Sequence, residues 1–159
     1  MQSVWAWGLA SVGLLIGLGV YLAPLQPSIV ALQFTFTPGA FQAVLNAWGA
    51  QGVQRFRMHL PVDDVLLLCY GAFGFLLTRR TAWFGAFSPA AQRRVATLMP
   101  LAALCDAIEN LLQGYLSGLQ IPAAAPWYAV AGGVATVKWL LLLLFVLCAA
   151  WAVRRKPAP

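Results

Sequence analysis

Four apolar stretches, at residues 4–25, 62–78, 98–121 and 127–153, alternate with shorter polar segments. Each approaches the ~20 residues that a membrane-crossing helix needs, the second being the shortest. Between the first two, Ser28 to Thr37 alternates: Val30, Leu32, Phe34 and Phe36 fall on one side, and Ala31, Gln33, Thr35 and Thr37 on the other. That two-residue period predicts an extended strand, for which the sequence offers no partner strand. Thr37-Pro38 supplies an N-cap and an N1 proline for a short helix over Ala40 to Trp48, closed by Gly49. A second short helix is expected over Gln51 to Leu60, and Pro61 in the N1 role opens the second span.

Ser88-Pro89 caps a helix that begins amphipathically, passes Arg93 and Arg94, and reaches Pro100, where the missing N–H removes the bond to Ala96. Gly118 followed by Pro122 ends the third span, and Pro126 restarts the chain for the fourth. So short a turn makes spans three and four antiparallel neighbours. The expected fold is therefore all-α: one integral membrane domain, a four-helix bundle. Residues 26–61, much longer than the ~2–8 residues that join neighbouring helices, form a partly structured external cap over it.

Composition removes the soluble alternative, since the chain is 62% hydrophobic and 9% charged with a mean hydropathy of +0.79. The ten basic residues set the orientation. Arg79, Arg80, Arg93 and Arg94 lie between spans two and three, and Arg154, Arg155 and Lys156 follow span four, whereas only Arg55 and Arg57 lie between spans one and two. By the positive-inside rule both termini are cytoplasmic. The net charge of +6 is then mainly a topology signal with some affinity for anionic inner-leaflet lipids, and nothing suggests nucleic acid. Residues 4–23 have the length and hydropathy of an uncleaved first span, with no basic side chain in Met1-Gln2-Ser3 to mark a signal peptide. Cys69, Cys105 and Cys148 each sit inside an apolar stretch, without the spacing of a redox pair or a metal knuckle.

Candidate chemistry comes from charges in the wrong solvent. Asp106, Glu109, Asn110 and Gln113 follow the i, i+3, i+4, i+7 pattern of one helix face. Lys138 stands in the next span, and a charge at membrane depth costs at least ~2.5 kcal/mol. Counting ~1.5 Å of rise per residue from the inner arginines, Asp106 stands ~18 Å, Glu109 ~22 Å, Asn110 ~24 Å and Lys138 ~24 Å above them, with Asp63 and Asp64 at ~24 and ~22 Å. All four acidic residues thus reach one level in the outer half of the membrane, beneath the segment carrying Arg55, Arg57 and His59. Neighbouring carboxylates in low dielectric cannot all carry charge unless a proton or cation is shared among them.

Each residue also has a structural explanation. Asp63 and Asp64 would cap and complement the first turn of a helix starting at Pro61. Glu109 with Lys138 would be an ion pair that fixes helix register, and Asn110 and Gln113 would be interhelical hydrogen-bond partners. His59 would sit at headgroup level. Trp139, beside Lys138, would pack or form a cation–π wall. Gly13 with Gly17, and Gly71 with Gly74, suit close helix contact. Trp5, Trp7, Trp83, Trp127, Tyr128 and Trp151 form an interfacial belt.

The run LQFTFTPGAFQAVLNAWGAQGVQRFRMHLPVDDVLLLCYG, with LCDAIENLLQ after it, resembles uncharacterised small four-span bacterial membrane proteins, which implies a bacterial inner membrane and no particular activity. In layout the chain also resembles the emopamil-binding and sigma-2 receptor family. That likeness implies membrane helices with an external first loop and acidic residues around an intramembrane ligand pocket; it assigns no individual residue. Three function classes follow. One is a pocket for a small cationic or amphipathic ligand, or a lipid, walled by Tyr70, Tyr115 and Trp139. Another is an accessory or assembly subunit of a larger membrane complex with a structural ion cluster. The third is a proton or cation pathway, opposed by the apolar runs Leu66 to Leu77 and Leu140 to Ala150. The sequence has no HExxH, His pair, CxxC or GxSxG, so no metal and no cofactor is expected. Any chemistry would be that of a membrane isomerase or lipid-modifying enzyme working through carboxylates.

Overall fold

The computed structural model describes residues 2–155 and is helical almost throughout. Lys156, counted above with the basic residues after span four, lies outside the described residues. Helix α1 spans Gln2–Leu22, α2 Ile29–Gln33, α3 Pro38–Arg80, α4 Pro89–Leu116 and α5 Ala125–Arg154, with a 3-10 turn at Ala82–Phe84. Helices α1, α3, α4 and α5 are each long and apolar enough to cross a membrane.

Capping chemistry marks the starts of α3 and α4. Thr37 accepts a hydrogen bond from the Ala40 N–H at 3.2 Å and Ser88 one from the Ala91 N–H at 3.3 Å, each followed by proline in the first turn. Gly49 has φ +62° and ψ −179°, a backbone state that L side chains rarely adopt, and it breaks α3 where the sequence places the end of a short helix.

Two expectations change. Ser28 to Thr37 is not a strand, and no strand occurs among the described residues. An unpaired strand would leave its backbone groups unsatisfied, whereas this segment bonds within itself, the Ala31 N–H donating to the Ser28 carbonyl at 2.9 Å and the Thr35 N–H to that of Leu32 at 3.1 Å. Leu32 and Gln33 are buried, while Val30, Phe34 and Phe36 are exposed. Nor does Pro61 start a helix: α3 runs through it from beyond Gly49 to Arg80, giving up only the proline's missing bond to the Arg57 carbonyl. Asp63 and Asp64 therefore lie about four turns past Gly49, too far along for first-turn capping.

The long helices pack in the sequence α1 on α3, α3 on α4 and α4 on α5. Helix α1 does not pack along α5, so the row stays open between its two outer members. Helices α3 and α4 meet tightly at Gly71 and Gly74, where an added Cβ would stand 3.1 Å from Ala103 Cβ and 2.2 Å from Met99 Cγ. Gly13 and Gly17 of α1 meet nothing.

Two apolar clusters close the ends of the bundle. Leu25, Leu32, Phe41, Trp48, Phe56 and Tyr128 gather around α2 at one end. Val4, Leu77, Phe84, Met99 and Phe145 gather around the 3-10 turn at the other. The start of α1 and the end of α5 share this second end, as the ring contacts Trp5–Trp83 at 5.9 Å and Phe87–Trp151 at 4.6 Å show. Arg79, Arg80, Arg93, Arg94, Arg154 and Arg155 are exposed there.

Candidate functional site

Between the two apolar clusters, α4 turns its polar stripe inward. Asp106, Glu109, Asn110 and Gln113 are all buried, while Leu104, Ile108 and Leu111 on the opposite side are exposed. Lys138 of α5, also buried, places Nζ 2.9 Å from Asp106 Oδ1 and 2.6 Å from Glu109 Oε2. The remaining oxygens of these two carboxylates are engaged by neutral donors. Tyr70 of α3 donates its hydroxyl to Asp106 Oδ2 at 2.9 Å, and Gln113 donates Nε2 to Glu109 Oε1 at 2.9 Å. Glu109 Oε2 has no hydrogen-bond donor beyond its ion pair among the described residues.

Asn110 links α4 to the second acidic pair. Its Nδ2 donates to Asp63 Oδ2 at 2.9 Å and to Asp64 Oδ1 at 3.0 Å. Among the described residues no basic side chain forms an ion pair with Asp63 or Asp64. Asp63 is half-buried and Asp64 exposed. Lys138 is therefore shared by Asp106 and Glu109, and the carboxylates of α3 take their side-chain hydrogen bonds from a neutral amide.

A cavity of about 630 Å³ opens beside this network. Its polar wall is built by His59 and Asp63 of α3, Asp106, Asn110 and Gln113 of α4, and Lys138 of α5. The opposite wall is apolar and comes from α1, chiefly Val12, Leu15, Leu18 and Leu22. Val12 and Leu15 are exposed and α1 does not pack along α5, so the cavity, lined by both helices, lies in the gap between them. The segment from Ala23 to Gln33 closes its α2 end, held by a hydrogen bond from Trp139 Nε1 to Gln33 Oε1 at 3.0 Å.

The remaining candidates separate. Tyr70 and Trp139 line the cavity, the latter with its ring 5.5 Å from Lys138 Nζ. Tyr115 does not: it is exposed on α4, on the side away from the stripe. His59 is buried, with Nδ1 against the Phe56 carbonyl and its ring on the Phe56 ring. Asp64 touches the network through Asn110 but does not line the cavity. Arg55 and Arg57 serve helix ends. Arg55 donates to the Tyr21 carbonyl at 2.8 Å in the last turn of α1, and Arg57 to the Gly114 carbonyl at 2.7 Å in the last turn of α4. A guanidinium at a helix C-terminus satisfies a free carbonyl and opposes the negative end of the dipole.

Sequence reasoning misses the α1 wall and Gln33. The α1 wall is apolar like the rest of that span and carries no distinguishing signal; the readable signal is Gln33 itself, an amide between the apolar residues Ile29 to Leu32 and Phe34. Among the described residues no group of three or more His, Cys, Asp or Glu side chains is placed to hold a metal ion, and the three cysteines are free.

Comparison with protein-family models, curated proteins and solved structures gives no match.

Proposed function

We propose that this chain is a bacterial inner-membrane protein, both termini cytoplasmic, that binds a small cationic or amphipathic ligand, or a lipid, in an outer-leaflet acidic pocket between α1 and α5. The observation that carries the reading is Asp63, a carboxylate without an ion-pair partner among the described residues, in the polar wall of a cavity whose other wall is largely apolar. An unpaired charge in such a setting is costly, and a bound cation would offset that cost. An apolar tail would lie along Leu15, Leu18 and Leu22 of α1, where burial contributes about 25 cal/mol per Å².

This orientation, with the cavity toward the external leaflet, is supported by the arginine-rich end that the start of α1 and the end of α5 share. A transmembrane proton or cation pathway fits less well. The cluster of Leu77, Phe84, Met99 and Phe145 fills the bundle between the polar network and the arginine-rich end.

The test is thermal unfolding of the purified protein in mild detergent, with dodecylamine, dodecyltrimethylammonium and dodecanol as ligands of equal chain length. Either cation should raise the midpoint well above the neutral alcohol, because binding to the folded state alone stabilises it by mass action. Equal behaviour of all three would sink the proposal.

A further inference from the structure

Hydrogen-bond accounting around the cavity narrows the ligand head group. Ionised carboxylates only accept, so the amides that face them must present their NH₂ groups. Asn110 uses Nδ2 on Asp63 and Asp64, and Gln113 uses Nε2 on Glu109. This fixes both amide orientations and leaves Asn110 Oδ1 and Gln113 Oε1 without a protein donor among the described residues, although both side chains line the cavity. Asp63 Oδ1 is in the same position, its other oxygen being taken by Asn110.

The donors that α3, α4 and α5 bring to this polar wall are engaged, whereas Gln26, Ser28 and Gln33, at the α2 end of the cavity, have side-chain donors with no acceptor among the described residues. Lys138 is held by Asp106 and Glu109, Tyr70 Oη by Asp106, and Trp139 Nε1 by Gln33. The wall thus offers Asp63 Oδ1, Asn110 Oδ1, Gln113 Oε1 and, with the Nδ1–H of His59 on the Phe56 carbonyl, His59 Nε2 as acceptors, and one carboxylate without an ion pair among the described residues. Among the described residues that line the cavity there is no aromatic cage of the kind that recognises quaternary ammonium, since the Trp139 ring already faces Lys138 and Tyr70 is tied to Asp106.

Resting on the pocket reading above, we infer that the ligand head is an ammonium that carries N–H donors, a primary amine on an alkyl chain, held by Asp63 with Asn110 and Gln113 as neutral acceptors. The chain leaves through the gap between α1 and α5. An anionic or phosphate-bearing head finds no free cation in this wall, so in an aminophospholipid only the ammonium would reach Asp63 while the phosphate stayed at the rim.

The shared chemistry is a primary ammonium on a hydrocarbon chain, whose source is a free long-chain amine or an ethanolamine phospholipid. The experiment compares apparent affinities from concentration-dependent thermal stabilisation in detergent, and stability in nanodiscs of phosphatidylethanolamine against phosphatidylcholine. Dodecylamine should bind about tenfold or more tightly than dodecyltrimethylammonium, the effect of losing at least one charge-assisted hydrogen bond. Asp63→Asn should erase that preference. Leu15→Trp, at the exposed rim, should weaken every amine by filling the chain's path without touching the polar network, and it serves if Asp63→Asn does not fold.

Greater stability in phosphatidylethanolamine than in phosphatidylcholine assigns the amine to a membrane lipid; a response to dodecylamine without a lipid difference assigns it to a free amine. Either result supports the inference. Equal affinity for dodecylamine and dodecyltrimethylammonium overturns it while leaving the cation pocket standing, and no response to either cation removes both readings.

Discussion

Lys138 Nζ and Glu109 Oε2 stand 2.6 Å apart with both side chains almost wholly removed from solvent. The same ammonium reaches Asp106 Oδ1 at 2.9 Å, so one positive charge from α5 satisfies two carboxylates of α4. Such a pair joins the helices only while both partners are present, because either charge alone would be left buried and uncompensated.

Lys138→Met is therefore expected to destabilise the protein severely, by ~3–5 kcal/mol, leaving two carboxylates without their cation. Adding Glu109→Gln should recover a substantial part of that loss, since Asp106 keeps the Tyr70 hydroxyl and the neutral amide no longer needs an ammonium. Denaturant titration of the two single variants and the double in detergent checks this. Strictly additive losses would show that the two side chains do not act as a unit.

The glycines should behave oppositely on the two helix pairs. Gly74→Ala would drive a methyl to within 2.5 Å of Met99 Cβ, an atom close to the backbone that cannot swing away, and should cost ~1–3 kcal/mol through overpacking. Gly13→Ala, on open space, should be neutral or stabilise by up to about 1 kcal/mol through helix propensity. Melting temperatures of the two variants decide the matter, and a Gly13→Ala variant as damaged as Gly74→Ala would place another helix against α1.

Topology is open to a direct chemical check. With Cys69, Cys105 and Cys148 replaced, single cysteines at Gly39 and Ser88 mark the two ends of the bundle. An impermeant maleimide applied to intact cells should label Gly39→Cys and leave Ser88→Cys unmodified until the membrane is broken. The reverse pattern would invert the orientation and move the cavity to the cytoplasmic leaflet.

Much of this arrangement is readable residue by residue. The i, i+3, i+4, i+7 spacing of Asp106, Glu109, Asn110 and Gln113 already places them on one face, because the helical repeat is a local property. Their common level with Asp63 and Lys138 follows from rise per residue alone. Local rules are less dependable where two compete. Pro61 reads as a helix start, yet the helix on either side of it continues and sacrifices one bond. The alternation of Ser28 to Thr37 reads as a strand, but without a partner strand the backbone satisfies itself as the short helix α2.

What the sequence determined by itself is the set of four long apolar helices, their caps at Thr37 and Ser88, the break at Gly49 and the inward polar stripe, all governed by composition and by contacts within a few residues along the chain. Partner choice belongs to the tertiary structure. Only the rotation and spacing of whole helices decide that Lys138 serves Asp106 and Glu109 and leaves Asp63 to Asn110, that Tyr70 faces the network while Tyr115 faces out, and that α1 and α5 stand apart. Those outcomes depend on how side chains from distant segments fill shared volume, a condition that no single stretch of residues contains.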